Sequence, residues 1–185
     1  MDRIAEHMRR DNTRMLKKTV AGILLFLMIM LPGCSGDETP GPEKKNAVTP
    51  IDVAGIQSLI NNQDCPLMLV AMAAWCAPCR EELPILQKMH EKYKGDGLRI
   101  VGISLDIGGS SAMQPLVDQM GLEFPVYWGG EKVTAEYGIS GIPLTIFVGN
   151  GKLIETITGQ RSEAFIEEKI ISLLEKCKNR NTVKQ

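Results

Sequence analysis

Trp75, Cys76, Ala77, Pro78 and Cys79 stand in a row, and two thiols at this spacing admit several chemistries. They could ligate a metal, staple the fold, attach haem, or form a disulfide that opens and closes. Structural zinc needs four ligands, usually two such pairs, whereas the remaining candidates Cys65, Cys177 and His90 are not paired at short spacing. Haem attachment requires histidine directly after the second cysteine, where Arg80 stands. A staple gains most by closing a long loop, and this one closes almost none. Reversible redox chemistry is the reading these residues favour.

The flanking sequence explains why the pair is reactive. "PLMLVAMAAW" before it is a continuous apolar run of buried-strand length, and "CREELPILQKMHEKYKG" after it repeats Leu83, Leu86, Met89 or His90, and Tyr93 on one helical face, ending at Gly95. The cysteines therefore sit where a strand turns into a helix. Unpaired N–H groups and the macrodipole at a helix N-terminus favour an anion, which lowers the pKa of Cys76. Cys76 is the expected attacking thiolate and Cys79 the resolving one, through a mixed disulfide. Pro78 fixes φ and removes one N–H inside the short loop.

Elsewhere "IDVAGIQSLINN" has helical spacing at Ile51, Ile56, Leu59 and Ile60, and "LRIVGISL" reads as the next buried strand. Ser111 and Gln114 have capping-box spacing for a helix through Met120, "FPVYW" is a short strand, and "EKVTAEYGI" a helical segment. Two β-branched runs meet at Asn150-Gly151, a hairpin signal, and a last helix repeats Ile166, Ile170, Leu173 and Cys177. The alternation predicts an α/β domain with a mixed sheet and helices on both faces.

"WCAPC" with Pro84 five residues on, and "GIP" ahead of a strand, resemble the thioredoxin-fold proteins over roughly Ile51 to Cys177. That resemblance implies a cis Pro143 facing the cysteines, with the backbone of Ile142 pairing with substrate peptide as an added strand. Pro143 at the start of "LTIFV" agrees with the exclusion of proline from strand interiors. Sixty-four positions separate Cys79 from Pro143, and the surplus includes "SSAMQPLVDQMGLEFPVYW", an inserted strand-helix element. With "WCAPCREELP" and an export-like leader, this is similar to the TlpA and ResA type of membrane-tethered thiol-disulfide oxidoreductases. The resemblance implies reduction of protein disulfides, with the CxxCH site of apocytochrome c as a substrate, and a proton-handling role for Glu82. A first-turn acid favoured by the helix dipole is the plain alternative for Glu82. Trp75 is expected to shield Cys76 and line the substrate site.

Departures narrow the chemistry. Thioredoxin proper has a buried aspartate on the strand before the cysteines, and Val70 occupies that position. Thioredoxin-fold peroxidases carry threonine three residues before the reactive cysteine, where Ala73 stands, so a peroxidase is disfavoured. A disulfide-forming oxidant of the same fold and a CxxC metal-binding module remain as alternatives, although Ala77-Pro78 resembles the dipeptides of reducing members. No metal or other cofactor is expected. Cys177 is expected as a buried small hydrophobe, with Cys65 and a Cys65 to Cys177 bridge left open. His90 is expected on a helix face.

Export is legible in the first thirty-four residues, where Arg9, Arg10, Arg14, Lys17 and Lys18 precede "VAGILLFLMIM" and "LPGC". The apolar core from Val20 to Leu31 is twelve residues, against about twenty for a bilayer span. "LPGC" resembles a lipobox, which implies cleavage before Cys34 and its lipidation, and an uncleaved anchor is the alternative. Met15 could itself begin a compact leader. The expected organisation is a signal peptide at 1–33, a tether at 34–49, a thioredoxin-like domain at 50–178 and a tail at 179–185. The expected location is extracytoplasmic, at the membrane. A net charge of −1 without a basic tract after the leader excludes a nucleic-acid footprint. A monomer is expected, with protein thiols and disulfides as substrates and a membrane thiol reductant as electron source.

Overall fold

The computed structural model describes residues 46–61 and 66–183. The leader, Cys34, Cys65 and the last two residues of the tail lie outside the described residues. In chain order the elements are β1 (Thr49–Pro50), α1 (Val53–Asn61), β2 (Leu67–Met72), α2 (Ala77–Tyr93), β3 (Arg99–Ser104) and α3 (Ser110–Met120). There follow β4 (Val126–Trp128), α4 (Gly130–Glu136), β5 (Leu144–Gly149), β6 (Lys152–Thr158) and α5 (Glu163–Val183).

One six-stranded sheet has the order β1-β4-β3-β2-β5-β6. β1, β4, β3 and β2 run parallel to one another, and β5 is antiparallel to both β2 and β6, which makes the sheet mixed. β2 lies in the interior of the sheet and every one of its residues is buried. Its side chains alternate between two cores, as the pleat requires. Met68, Val70 and Met72 join Leu83, Leu86 and Met89 of α2, Met113 and Leu116 of α3 and Ile166, Ile170 and Leu173 of α5 on one face. Leu67, Leu69 and Ala71 join Ile56 and Ile60 of α1 and Val133 of α4 on the other. The fold is thioredoxin-like, with α3 and β4 inserted before α4, as the residue pattern anticipated.

The hairpin formed where the dipeptide indicated. Asn150 and Gly151 both have positive φ, 56° and 69°, and Gly149 pairs with Lys152 across them. Two positive φ values in a two-residue loop match the right-handed twist of the flanking strands.

Two details differ from the sequence reading. Ser111 and Gln114 form no capping box: α3 begins after Gly109 with no side-chain cap, and the Ser111 hydroxyl donates to the Gly108 carbonyl. Gln114 is occupied elsewhere, its amide donating to the Asn46 carbonyl and to Asp118, and its Oε1 accepting the Val48 N–H at 2.8 Å. This clip, with Asn46 Nδ2 donating to the carbonyls of Leu122 and Phe124, fastens residues 46–48 to the domain. Thr49 and Pro50 then pair with β4. The packed chain thus begins at least as early as Asn46, inside the stretch assigned to the tether.

The parallel pairing of β1 with β4 also gives the chain a direction. Asn46 sits beside Leu122 and Phe124, before β4 begins, and Pro50 sits beside Trp128 at its carboxyl end. The chain therefore enters at the pole opposite the carboxyl ends of the parallel strands, where the cysteines lie.

Candidate active site

Cys76 and Cys79 form a disulfide, with their Cα atoms 5.3 Å apart. β2 delivers the chain to this point and Ala77 starts α2, so Cys76 occupies the N-cap position, with extended backbone (φ −81°, ψ 103°). Its Sγ accepts the N–H of Cys79 at 3.3 Å. That contact is the physical basis for a stabilised thiolate once the pair is reduced, since a charged acceptor at a helix N-cap strengthens the bond. Pro78 lies in the first turn, where its missing N–H has no helical partner to lose.

The Ile142–Pro143 peptide bond is cis, as the resemblance implied. The Ile142 carbonyl lies 3.9 Å from Cys76 Sγ. A sulfur in a disulfide has no proton to donate, so this is proximity in the oxidised state and a place for a thiol to point in the reduced one. Pro143 is fastened from behind, its carbonyl accepting the Gly159 N–H at 2.7 Å. Cys76 and Cys79 are 4% and 2% exposed, whereas Trp75 is 69% exposed. Trp75 thus projects from the rim next to Cys76 in the chain.

Glu82 is not a surface acid of the first turn. It is 2% exposed, on the same buried face of α2 as Cys79 and Leu83, and its Oε1 accepts the Arg161 N–H at 2.9 Å. Burial holds its pKa above the usual carboxylate value, partly offset by that N–H and the positive charge of Arg161. Arg161 is itself held by its guanidinium donating to the carbonyls of Thr158 and Gln160. Gln160 donates to Glu81, so the β6 to α5 connection grips both Glu81 and Glu82.

Val70 is 1% exposed and packs in the cluster that contains both cysteines, so no ionisable group reaches them from that position. Ala73, three residues before Cys76, is 1% exposed and offers no hydroxyl. His90 lies on α2 with its ring edge-on to Phe124; its Nδ1 is buried without a hydrogen-bond partner, and burial lowers its pKa. Among the described residues no group of three or more His, Cys, Asp or Glu side chains could hold a metal. Cys177 is 3% exposed, as a core residue should be, but its sulfur is disulfide-bonded, which corrects its reading as a plain buried thiol.

The sequence reading missed Asp106. Its side chain is 2% exposed, and both carboxylate oxygens lie 3.1 Å from the Ala74 N–H, two residues before Cys76. The signal available was an acidic residue two positions past the buried strand β3, whose carboxyl end lies beside that of β2.

A family model for AhpC/TSA matches residues 43–157. Thiol-disulfide oxidoreductase ResA of Bacillus anthracis is 33% identical over 95 residues, which cover 50% of this chain and 54% of that one. ResA of Oceanobacillus iheyensis is 32% identical over 126 residues, covering 67% and 65%. The chain thus spans about half to two thirds of the length of these two ResA relatives. The crystal structure of a DsbF homologue from Corynebacterium diphtheriae is 28% identical, with a TM-score of 0.55, covering 62% of this chain and 76% of that one.

Proposed function

The chain belongs to the AhpC/TSA family, and from that premise we propose that it is a thiol-disulfide oxidoreductase that reduces protein disulfides through Cys76 and Cys79. The observation that supports this most directly is the Cys76–Cys79 disulfide at the N-cap of α2, 3.9 Å from the carbonyl before a cis proline. Reduced Cys76, as thiolate, attacks one sulfur of a substrate disulfide; the other substrate sulfur leaves as thiolate and takes a proton. Deprotonated Cys79 then attacks Cys76 Sγ, releasing the second substrate thiolate and closing the Cys76–Cys79 bond. Two electrons pass to the substrate, and a dithiol donor must return two to reset the protein.

Ile142, Pro143 and Trp75 form the substrate side of this reaction. The main chain before Pro143 is placed to pair with an extended substrate strand, and Trp75 offers exposed apolar surface beside the sulfurs. Glu82, buried and with raised proton affinity, takes the proton of Cys79 as that thiol becomes the nucleophile. The names of the two ResA relatives support disulfide exchange as the activity.

The leader supports action outside the cytoplasm, with Cys34 lipidated or the apolar segment retained as anchor. An exported reductant draws its electrons from a thiol-bearing membrane partner, and apocytochrome c is the first substrate to try. Replacing Cys76 by serine is expected to abolish reduction of insulin disulfides, and retained turnover would overturn the proposal. Equilibration with glutathione buffers decides the direction, because couples run from roughly −270 mV for thioredoxin to roughly −120 mV for DsbA. A value near the upper end would make the protein an oxidant. Hydrogen peroxide consumption with dithiothreitol is expected to be absent, in keeping with Ala73.

A further inference from the structure

The loop that carries Trp75 and Cys76 is held from behind by a buried charge. β2 and β3 end side by side, Met72 opposite Ser104, and the Leu105 N–H donates to the Met72 carbonyl at 2.8 Å. Asp106 then turns back under the neighbouring strand. Both of its carboxylate oxygens lie 3.1 Å from the Ala74 N–H, and the Ser104 hydroxyl donates to Oδ2 at 2.8 Å. The Asp106 N–H returns to the Ser104 Oγ at 3.3 Å, and its carbonyl accepts the Trp128 indole N–H at 2.7 Å. One step further along the gripped chain, the Cys76 N–H donates to the Ala73 carbonyl at 3.1 Å, closing the turn that sets Cys76 on α2.

Asp106 is 2% exposed and Ser104 wholly buried, and among the described residues no lysine, arginine or histidine contacts the carboxylate. Burying an unpaired carboxylate is expensive, and a neutral acceptor such as asparagine would hold the Ala74 N–H at lower cost. The charge therefore calls for a reason beyond anchoring. A fixed negative charge two peptide units from Cys76 opposes formation of its thiolate. It counters the N-terminus of α2, which favours the thiolate. Because stabilising the thiolate stabilises the reduced pair and makes a couple more oxidising, the opposing charge makes it more reducing.

We propose that Asp106 is a positioning residue that fixes the Ala74–Cys76 loop and, by its charge, holds the Cys76–Cys79 couple toward the reducing side. This deepens, and rests on, the reading of the pair as a disulfide-exchange site.

The test uses the full chain with Asp106→Asn, which keeps an acceptor for Ala74 and removes the charge, and Asp106→Ala, which removes both. Two quantities are read: the equilibrium with glutathione, and the pH profile of Cys76 alkylation by iodoacetamide. Asp106→Asn should shift the equilibrium on the order of tenfold toward the dithiol, equivalent to about 30 mV, and move the alkylation profile to lower pH. Asp106→Ala should in addition slow reduction of insulin by more than about tenfold, since positioning losses of that size follow small displacements of a reacting group. If Asp106→Asn matches the wild type in both equilibrium and alkylation profile, the proposal fails, even if the melting temperature drops. If Asp106→Ala does not fold, Asp106→Asn alone still decides. A wild-type protein that alkylates at Cys76 but exchanges no disulfide would overturn the oxidoreductase reading, while the alkylation profiles would still judge the role of Asp106.

Discussion

Replacing Glu82 by glutamine should make the oxidised protein more stable at neutral pH than at pH 4, relative to the wild type. Glu82 is 2% exposed, and burial raises its pKa above the 4.5 of an ordinary glutamate. The native state therefore binds a proton more tightly than the unfolded chain, and wild-type stability falls as pH rises from 4.5 through the folded value. Below 4.5 both states are protonated and the group contributes no difference. Glutamine cannot ionise, so this loss is absent from the variant. Its Oε1 still accepts the Arg161 N–H, and the strengthening of that bond by the carboxylate charge is already contained in the net upward direction of the Glu82 pKa. Every tenfold difference in proton affinity is about 1.4 kcal/mol. At roughly 2.1 cal/mol/K per residue, a folded domain of about 130 residues converts that to about 5 °C in Tm. Thermal unfolding followed by circular dichroism from pH 4 to 8, with the disulfide kept closed so that neither cysteine titrates, reads the difference directly. The Tm of Glu82→Gln minus wild type should climb steadily across this range, as the upward shift of the Glu82 pKa requires. A difference that stays flat, or falls with pH, would refute the placement of a charge-penalised carboxyl at Glu82.

The other expectations follow from single contacts. Cys79→Ser should leave the mixed disulfide between Cys76 and substrate unresolved, visible as a covalent adduct on non-reducing gels and absent in Cys76→Ser. Trp75→Ala should leave Tm within about 2 °C, because the side chain is 69% exposed, yet raise KM for insulin several-fold; an unchanged KM would remove Trp75 from the substrate site. Phe124→Ala, at a wholly buried position in the core under α2, should cost about 3–5 kcal/mol in urea unfolding. Gln114→Ala removes the clip on Asn46 and Val48 and should speed amide hydrogen exchange at Val48 more than at β2.

The fold and the redox pair were legible because the signals that carry them are local. The continuous apolar run of β2, the 3.6-residue spacing of α2 and the Asn150-Gly151 turn each specify their element from neighbours along the chain. The spacing of Cys76 and Cys79 and their position at a helix start are likewise written in a dozen residues. The resemblance supplied Pro143, which spacing alone could not have brought to the cysteines.

What the sequence could not supply was every feature that depends on who faces whom across the fold. Glu82 looked equally like a surface acid of a first turn until the Arg161 N–H, arriving from the β6 to α5 connection, and the surrounding core showed it buried. Gln114 read as half of a capping box because the motif is local, and the tertiary contact with Asn46 and Val48 claimed its side chain instead. Asp106 and Ala74 are 32 residues apart and meet only because β3 lies parallel beside β2. Local periodicity thus determined which elements form and where the sulfurs lie. Burial and hydrogen bonding between distant segments, which exist only after the sheet has ordered its strands, decided the electrostatics around them.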